Sequence, residues 1–273
     1  MSNPVLPSYY IAHGGGPWAY MDGALRAMHA PLERALAAIP RELGCRPHAL
    51  LVISAHWEAP QFTLLESARP GMLYDYGGFP PHTYNVQYPA PGAPELAARA
   101  HELLGAAGIR TAGETRRGFD HGVFVPLAVM YPDADIPVLA MSLKLGLDPA
   151  EHLAAGRALA PLRAEGVLII GSGSGYHNMA GVDARAIAAS AAFDAWLQQA
   201  LCGATGAARE ALLERWAEAP SARYAHPREE HLLPLMVAAG AGGDEAGVCA
   251  WQQRDMMGGI TLSSFRFGAL PGG

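Results

Sequence analysis

The chain has 273 residues, of which 51% are hydrophobic and 16% charged, and its formal net charge is -6. A mildly acidic balance without a Lys/Arg cluster excludes phosphate-backbone recognition as the main task, so no nucleic-acid partner is expected. The late apolar stretch at 232–240 falls far short of the ~20 residues a membrane helix needs, so no membrane partner is expected either.

In chain order, apolar β-branched runs alternate with segments of helical period. SYYIA (8–12) reads as a strand, followed by a helix over 22–39 that Pro31 breaks or kinks. ALLVISA (49–55) and FTLLES (62–67) read as strands, 93–108 as a helix and IPVLAMSL (136–143) as a strand. A helix over 148–166, the strand GVLIIGS (166–172) and a helix over 184–203 follow. Asp148 and Pro149 suit an N-cap and first helical position, while Gly108 and Gly166 suit helix stops. GVCAWQQR (247–254) and ITLSSFRFG (260–268) alternate in polarity and read as antiparallel strands. Continuous apolar strands between amphipathic helices call for a sheet covered on both faces. No repeat or linker divides the chain. The expected architecture is a single α/β catalytic domain over 1–273, with a mixed central sheet and antiparallel strands at the C-terminal end.

Two stretches add detail. The segment 67–94 is rich in Gly, Pro and Tyr and lacks periodicity; loops of this length are functional or disordered, and its aromatic residues argue for a packed loop covering a substrate. MSNPVLPSYY has no basic region followed by an apolar run, so no signal peptide is expected. Cys45, Cys202 and Cys249 are few, odd in number and widely spaced, which fits thiols in a reducing, cytoplasmic setting.

The histidines carry the chemistry. His13 follows the first strand in IAHGGGPW, His56 ends the LLVISA strand, and His177 follows VLIIGSGSGY. Ligands of open α/β sheets bind at the carboxyl ends of strands. The Gly-Ser run before His177 could be read as a phosphate cradle, but no Lys follows it. His231, in HPREEHLLPL, is expected to open a helix together with Glu230, and His121 follows Asp120 in GFDHGVFVPL. His29, His101 and His152 fall in polar helical patterns and His48, His82 and His226 at loops or element entries, so these six are expected to be ordinary hydrogen-bonded residues. Several imidazoles at strand ends, without a cysteine cluster, suit one catalytic metal with a free coordination position.

IAHGGGPW, VISAHW, YDYGGFP, GFDHGVFVPL and HPREEHLLPL occur in the order in which similar motifs occur in the class III extradiol ring-cleavage dioxygenases. The sequence most resembles the single-chain, 4,5-DOPA dioxygenase-like branch, over roughly residues 9–268. The resemblance implies a non-haem Fe(II) held by His13, His56 and His231, with Zn(II) able to occupy the same site. It implies His177 as acid/base and His121 beside the substrate, a catechol-type diol that is opened with O2. Tyr76, Phe79 and Trp57 are candidate pocket walls. The first motif is one residue longer than the family's His-Gly-Ser-Pro, and either Glu230 or His231 could face the metal. Two rival readings use the same residues. One is a zinc hydrolase with Glu58, Asp120 or Glu230 as base. The other is a non-catalytic metal- or partner-binding relative. A monomer or small homo-oligomer is expected.

Overall fold

The apolar runs assemble into one eight-stranded sheet in the computed structural model, which describes residues 4–271. The elements are β1 (Ser8–Ala12), α1 (Ala24–Leu43), β2 (Ala49–Ala59), β3 (Phe62–Leu65), α2 (Pro94–Ala106) and β4 (Thr111–Glu114). They continue with α3 (His121–Met130), β5 (Val138–Lys144), α4 (Pro149–Leu159), β6 (Val167–Gly173) and α5 (Ala184–Cys202). The last are α6 (Gly206–Glu214), α7 (Ala222–Ala225), α8 (Leu233–Ala241), β7 (Gly247–Met256) and β8 (Ile260–Phe267).

The strand order is β4-β3-β5-β2-β6-β1-β8-β7. β5, β2, β6 and β1 run parallel to one another, and the β7–β8 hairpin joins antiparallel beside β1. Alternation along β2 shows why the central parallel strands read as nearly continuous apolar runs. Leu50 and Val52 enter the core formed with α1 and α3, while Leu51 and Ile53 enter the one formed with α2, α4, α5 and α8. The mixed, doubly covered sheet with C-terminal antiparallel strands is therefore the expected one.

Several elements depart from expectation. α1 runs through both Pro31 and Pro40 and ends at Leu43 with Gly44 in the left-handed region. α3 escaped notice because HGVFVPLAVM has no polar face, so a buried helix shows no helical period. β4 and α6 were not expected, being a short edge strand of half-buried residues and a short helix. The helix expected over 148–166 stops at Leu159 and continues as a 3-10 turn, Ala160–Arg163. α8 begins at Leu233, so Glu230 and His231 lie in the turn before it and do not open it.

Candidate metal centre and substrate cavity

β1, β2 and β6 are adjacent and parallel, so their carboxyl ends share one edge of the sheet. His13 comes one residue after β1, and His177 four residues after β6. His56 arrives differently. β2 pairs with β5 at Ile53–Met141 and again at Glu58–Leu143, so residues 54–57 bulge out of register. Bulges beside active sites re-aim side chains, and this one turns the His56 ring toward His13. Trp57, next along β2, points to the opposite face; it is buried in the α1–α3 core with the Arg117 guanidinium 4.9 Å from its ring centroid. Trp57 therefore does not line the cavity, contrary to expectation.

His231 reaches the same place because β6 is stripped of side chains there. A Cβ on Gly171 would lie 2.2 Å from the Pro234 carbonyl oxygen, and one on Gly173 would lie 2.1 Å from that of His231. The Gly-Ser run thus serves close approach of the 231–234 turn and is not a phosphate cradle. The His231 carbonyl accepts from the Ser174 amide at 3.1 Å and from the Tyr10 hydroxyl at 2.9 Å. In the HGGGP motif, Gly14 and Gly16 take φ of +78° and +55°, and Cβ atoms there would strike Trp18 and Phe79.

Five imidazoles meet at this edge. Ring centroids of His13 lie 4.9 Å from His56, 5.4 Å from His121 and 5.2 Å from His231, and His177 stacks on His231 at 3.3 Å. Each Nδ1 is held. Asp75 accepts from His121 at 2.8 Å and faces His56 Nδ1 at 3.4 Å. Glu230 Oε1 accepts from His231 at 2.9 Å and from His177 at 3.0 Å. His13 Nδ1 lies 3.1 Å from Ser172 Oγ, whose own proton goes to the Gly122 carbonyl at 2.5 Å. Ser172 must therefore accept, so the His13 proton sits on Nδ1 and its Nε2 is a bare lone pair.

The same holds for His56, whose Nδ1 faces a carboxylate. Burial pushes His56 down to about 4 and His231 to about 3, and burial beside the other imidazoles holds His13 well below its usual range. Yet Nε2 of His13 and His56 face each other at 3.2 Å. Two neutral imidazoles offering lone pairs at that distance repel, and a shared cation removes the conflict. The donor set fits a metal. Ligand atoms of His13, His56 and His121 lie within 4.8 Å of one another, as do those of His177, Glu230 and His231. In the second group Glu230 is already engaged: Oε1 by two imidazoles and Oε2 by Arg228 at 3.3 Å. Burial alone would raise the Glu230 carboxyl, but hydrogen bonds from His177 and His231 hold it below the usual carboxylate range. A carboxylate that orients a ligating imidazole is a common companion of such metals.

The imidazoles floor a cavity of about 390 Å³, a size suited to a small ligand. Tyr76 and Phe79, from the 67–94 loop, are among the residues that line it. That loop packs on itself through Tyr74 Oη to Val86 O (2.7 Å) and Tyr76 Oη to Thr83 O (2.5 Å). His29 also lines the cavity, and like His152 and His226 it is buried and hydrogen-bonded. Asp75, within YDYGGFP, does not stand out in sequence from its aromatic neighbours. Nor do Ser172 and the Arg228–Glu58 pair that braces Glu230. A carboxylate 46 residues from His121 carries no local signal.

A buried imidazole cluster at the strand ends of an α/β sheet, with a cavity above it, describes a metal-dependent enzyme. The family described as the catalytic LigB subunit of aromatic ring-opening dioxygenase matches residues 6–261, and the chain belongs to it. Its members are metal-dependent, and the chain is accordingly an extradiol ring-cleavage dioxygenase, an oxidoreductase. It is 44% identical to a 4,5-DOPA dioxygenase extradiol of Beta vulgaris, with 89% of each chain covered. Identity to a 4,5-DOPA dioxygenase extradiol of Escherichia coli K12 is 30%, covering 98% of this chain and 97% of that one. The crystal structure of an uncharacterized protein from Escherichia coli K12 is similar at a TM-score of 0.74 and 29% identity, covering 96% of this chain and all of that one. No helix among the described residues is long and apolar enough to cross a membrane.

Proposed function

We propose that the enzyme opens a DOPA-like or related catechol beside its hydroxyls, giving a muconic-type semialdehyde, with Fe(II) held by His13, His56 and His231. The observation that carries this is the facing pair of bare Nε2 atoms, 3.2 Å apart, beneath a cavity of catechol-accommodating size. Bound ferrous iron supplies the one-electron chemistry that dioxygen requires and that no side chain here offers. The remaining work falls to the protein. His177 keeps its Nδ1–H on Glu230, which leaves Nε2 free to take a proton from a catechol hydroxyl and return it later. Its side chain is 30% exposed, the most open of the four imidazoles whose Nδ1 faces Asp75 or Glu230. His121, anchored by Asp75 through both its amide (3.0 Å) and Nδ1, borders the substrate from the other side.

A zinc hydrolase on these histidines would need a free carboxylate base. Glu58 is tied to Arg228, Asp120 to Ser54 (2.6 Å) and Arg117 (3.0 Å), and Glu230 to the imidazoles. The test is oxygen uptake with a catechol by metal-stripped protein after adding Fe(II) or Zn(II). Restoration by Fe(II) alone is expected. Zinc-restored, oxygen-independent turnover would refute the assignment.

A further inference from the structure

The cavity above the imidazoles has a second feature, which concerns the part of the substrate that is not the ring. Its outer wall is built by Leu25 and Met28 of α1, Met179 after β6, and Met256, Met257 and Leu262 of the β7–β8 hairpin. Four of the chain's ten methionines stand there, and two are open to solvent, Met179 at 79% and Met257 at 44% exposure. Methionine is a flexible apolar side chain that moulds to irregular apolar groups, and a cluster left uncovered at a cavity mouth marks a binding surface. Among the described residues, no Lys, Arg, Asp or Glu lines the cavity. The charged groups around it are committed elsewhere. Asp75 and Glu230 hold imidazoles, Arg228 makes two bonds to Glu58, and the Arg185 guanidinium lies 4.4 Å over the Tyr224 ring. An ammonium or carboxylate carried into this space would lose water and find no oppositely charged side chain along the methionine wall, which is costly.

Resting on the ring-opening reading of the site, we infer that the preferred substrate is a catechol bearing an uncharged apolar substituent, alkyl or aryl, that lies along the methionine wall. A zwitterionic amino-acid side chain is disfavoured there. The test compares 4-methyl-, 4-propyl- and 4-butylcatechol with 3,4-dihydroxyphenylacetate and DOPA. With the Fe(II)-loaded enzyme, kcat/KM is expected to rise about fourfold per added methylene, the equivalent of ~0.8 kcal/mol for each one buried. Butylcatechol should exceed DOPA by at least about tenfold. Calorimetric binding to the metal-free protein should follow the same order, because the wall acts without the metal. Met179→Lys changes an exposed side chain and leaves the core intact; it should shift the ratio toward 3,4-dihydroxyphenylacetate at least about threefold. Equal or better binding and turnover of DOPA relative to butylcatechol would overturn the inference, as would an unchanged ratio in Met179→Lys. If no catechol consumes oxygen but the binding order holds, the ring-opening assignment fails and the apolar wall stands.

Discussion

The histidines of the five-imidazole cluster and the other buried histidines are alike in the properties usually used to find functional residues. His13 and His231 are 2% and 3% exposed; His29, His152 and His226 are 4%, 0% and 0%. Burial pushes His152 and His226 down to about 4, the same place it puts His56. Neither burial nor basicity separates the two groups. What separates them is the second ring nitrogen. In His152, Nδ1 donates to the Asp148 carbonyl at 2.7 Å and Nε2 accepts from the Lys144 amide at 3.2 Å. His29 is likewise satisfied at both nitrogens, by Leu25 O and the Gly15 amide. His226 donates to Gly175 O, and its other nitrogen is sealed without a partner beside the Phe193 and Trp216 rings. In all five imidazoles of the cluster the protein holds Nδ1, and Nε2 is left to the cavity or to another bare nitrogen. An imidazole held by one nitrogen with the other open to the cavity is a tool, and one whose nitrogens are bonded or sealed in the core is a strut.

The largest expected effect breaks this contrast directly. His56→Ala should lose the metal and all turnover, because it removes one of three proposed ligands. His152→Gln should keep wild-type metal content whatever it costs in stability. Metal analysis after dialysis decides both. The same measurement separates the candidate third ligands: His231→Ala should be metal-free, while His121→Ala should retain metal and lose catechol binding or turnover. The reverse result would move the third ligand to His121, whose ligand atom also lies within 4.8 Å of those of His13 and His56.

His177→Ala should keep its iron and still bind catechol, with turnover reduced roughly 10²–10⁴-fold, the usual contribution of a positioned proton-transfer group. His177→Gln should be no better, since an amide cannot carry the proton. Anaerobic catechol binding followed by absorbance, beside an iron titration, reads this out. Iron lost with the fold intact would make His177 a ligand.

Much of this was legible in the sequence because strand ends are. Apolar runs locate β1, β2 and β6, and the first residues after such runs are where an α/β sheet offers chemistry, so His13, His56 and His177 stand out. His231 stood out by resemblance, but its path did not. The turn that carries it seats against Gly171 and Gly173, some 60 residues earlier in the chain. Trp57 misled because it is adjacent to His56 in sequence, and adjacency along a strand means opposite faces. Asp75 was hidden for another reason: a carboxylate in a long aperiodic loop looks like any solvated loop residue until folding sets it against two imidazoles. Nor does helical periodicity distinguish a polar histidine on a helix surface from one, like His152, whose polar atoms are all satisfied inside.

The carboxylates that orient the imidazoles should show a smaller effect than the imidazoles themselves. Asp75→Asn removes the charge that holds His56 and His121 in one tautomer, and Glu230→Gln does the same for His177 and His231. Losing such a partner typically costs 10–100-fold in metal affinity or activity. Asp75→Asn should act on metal affinity through His56. Glu230→Gln should act on both metal affinity and kcat, because its two imidazoles are proposed to have different tasks. Competition with a chelator measures the first, and turnover at saturating iron the second. Full activity at saturating iron in Glu230→Gln would mean that His177 does not need its carboxylate.

The smallest effect leaves activity aside and tests the struts. His152 is neutral and fully buried, with its folded pKa pushed down to about 4 by burial, against about 6.5 when unfolded. Between those values the unfolded chain binds the proton and the folded chain does not, so stability rises with pH across this window. The contribution is fully present above about 6.5, is lost as pH falls toward about 4, and changes no further below that. At pH 5 the loss from this one residue is roughly 2 kcal/mol. His226 adds a loss of the same sign, as do His56 and His231 once the metal is removed. Metal-free protein should therefore unfold at a markedly lower temperature at pH 5 than at pH 7. His152→Gln keeps a group able to hydrogen-bond but cannot titrate. It should start from a lower stability at pH 7 and lose less on acidification, by about the 2 kcal/mol that the histidine contributes. The slope against pH is the readout, because a purely packing defect would lower the curve without flattening it. A slope identical to wild type would show that His152 stays unprotonated in the unfolded chain as well, or is protonated in both states, and the account of it as a neutral strut would fail.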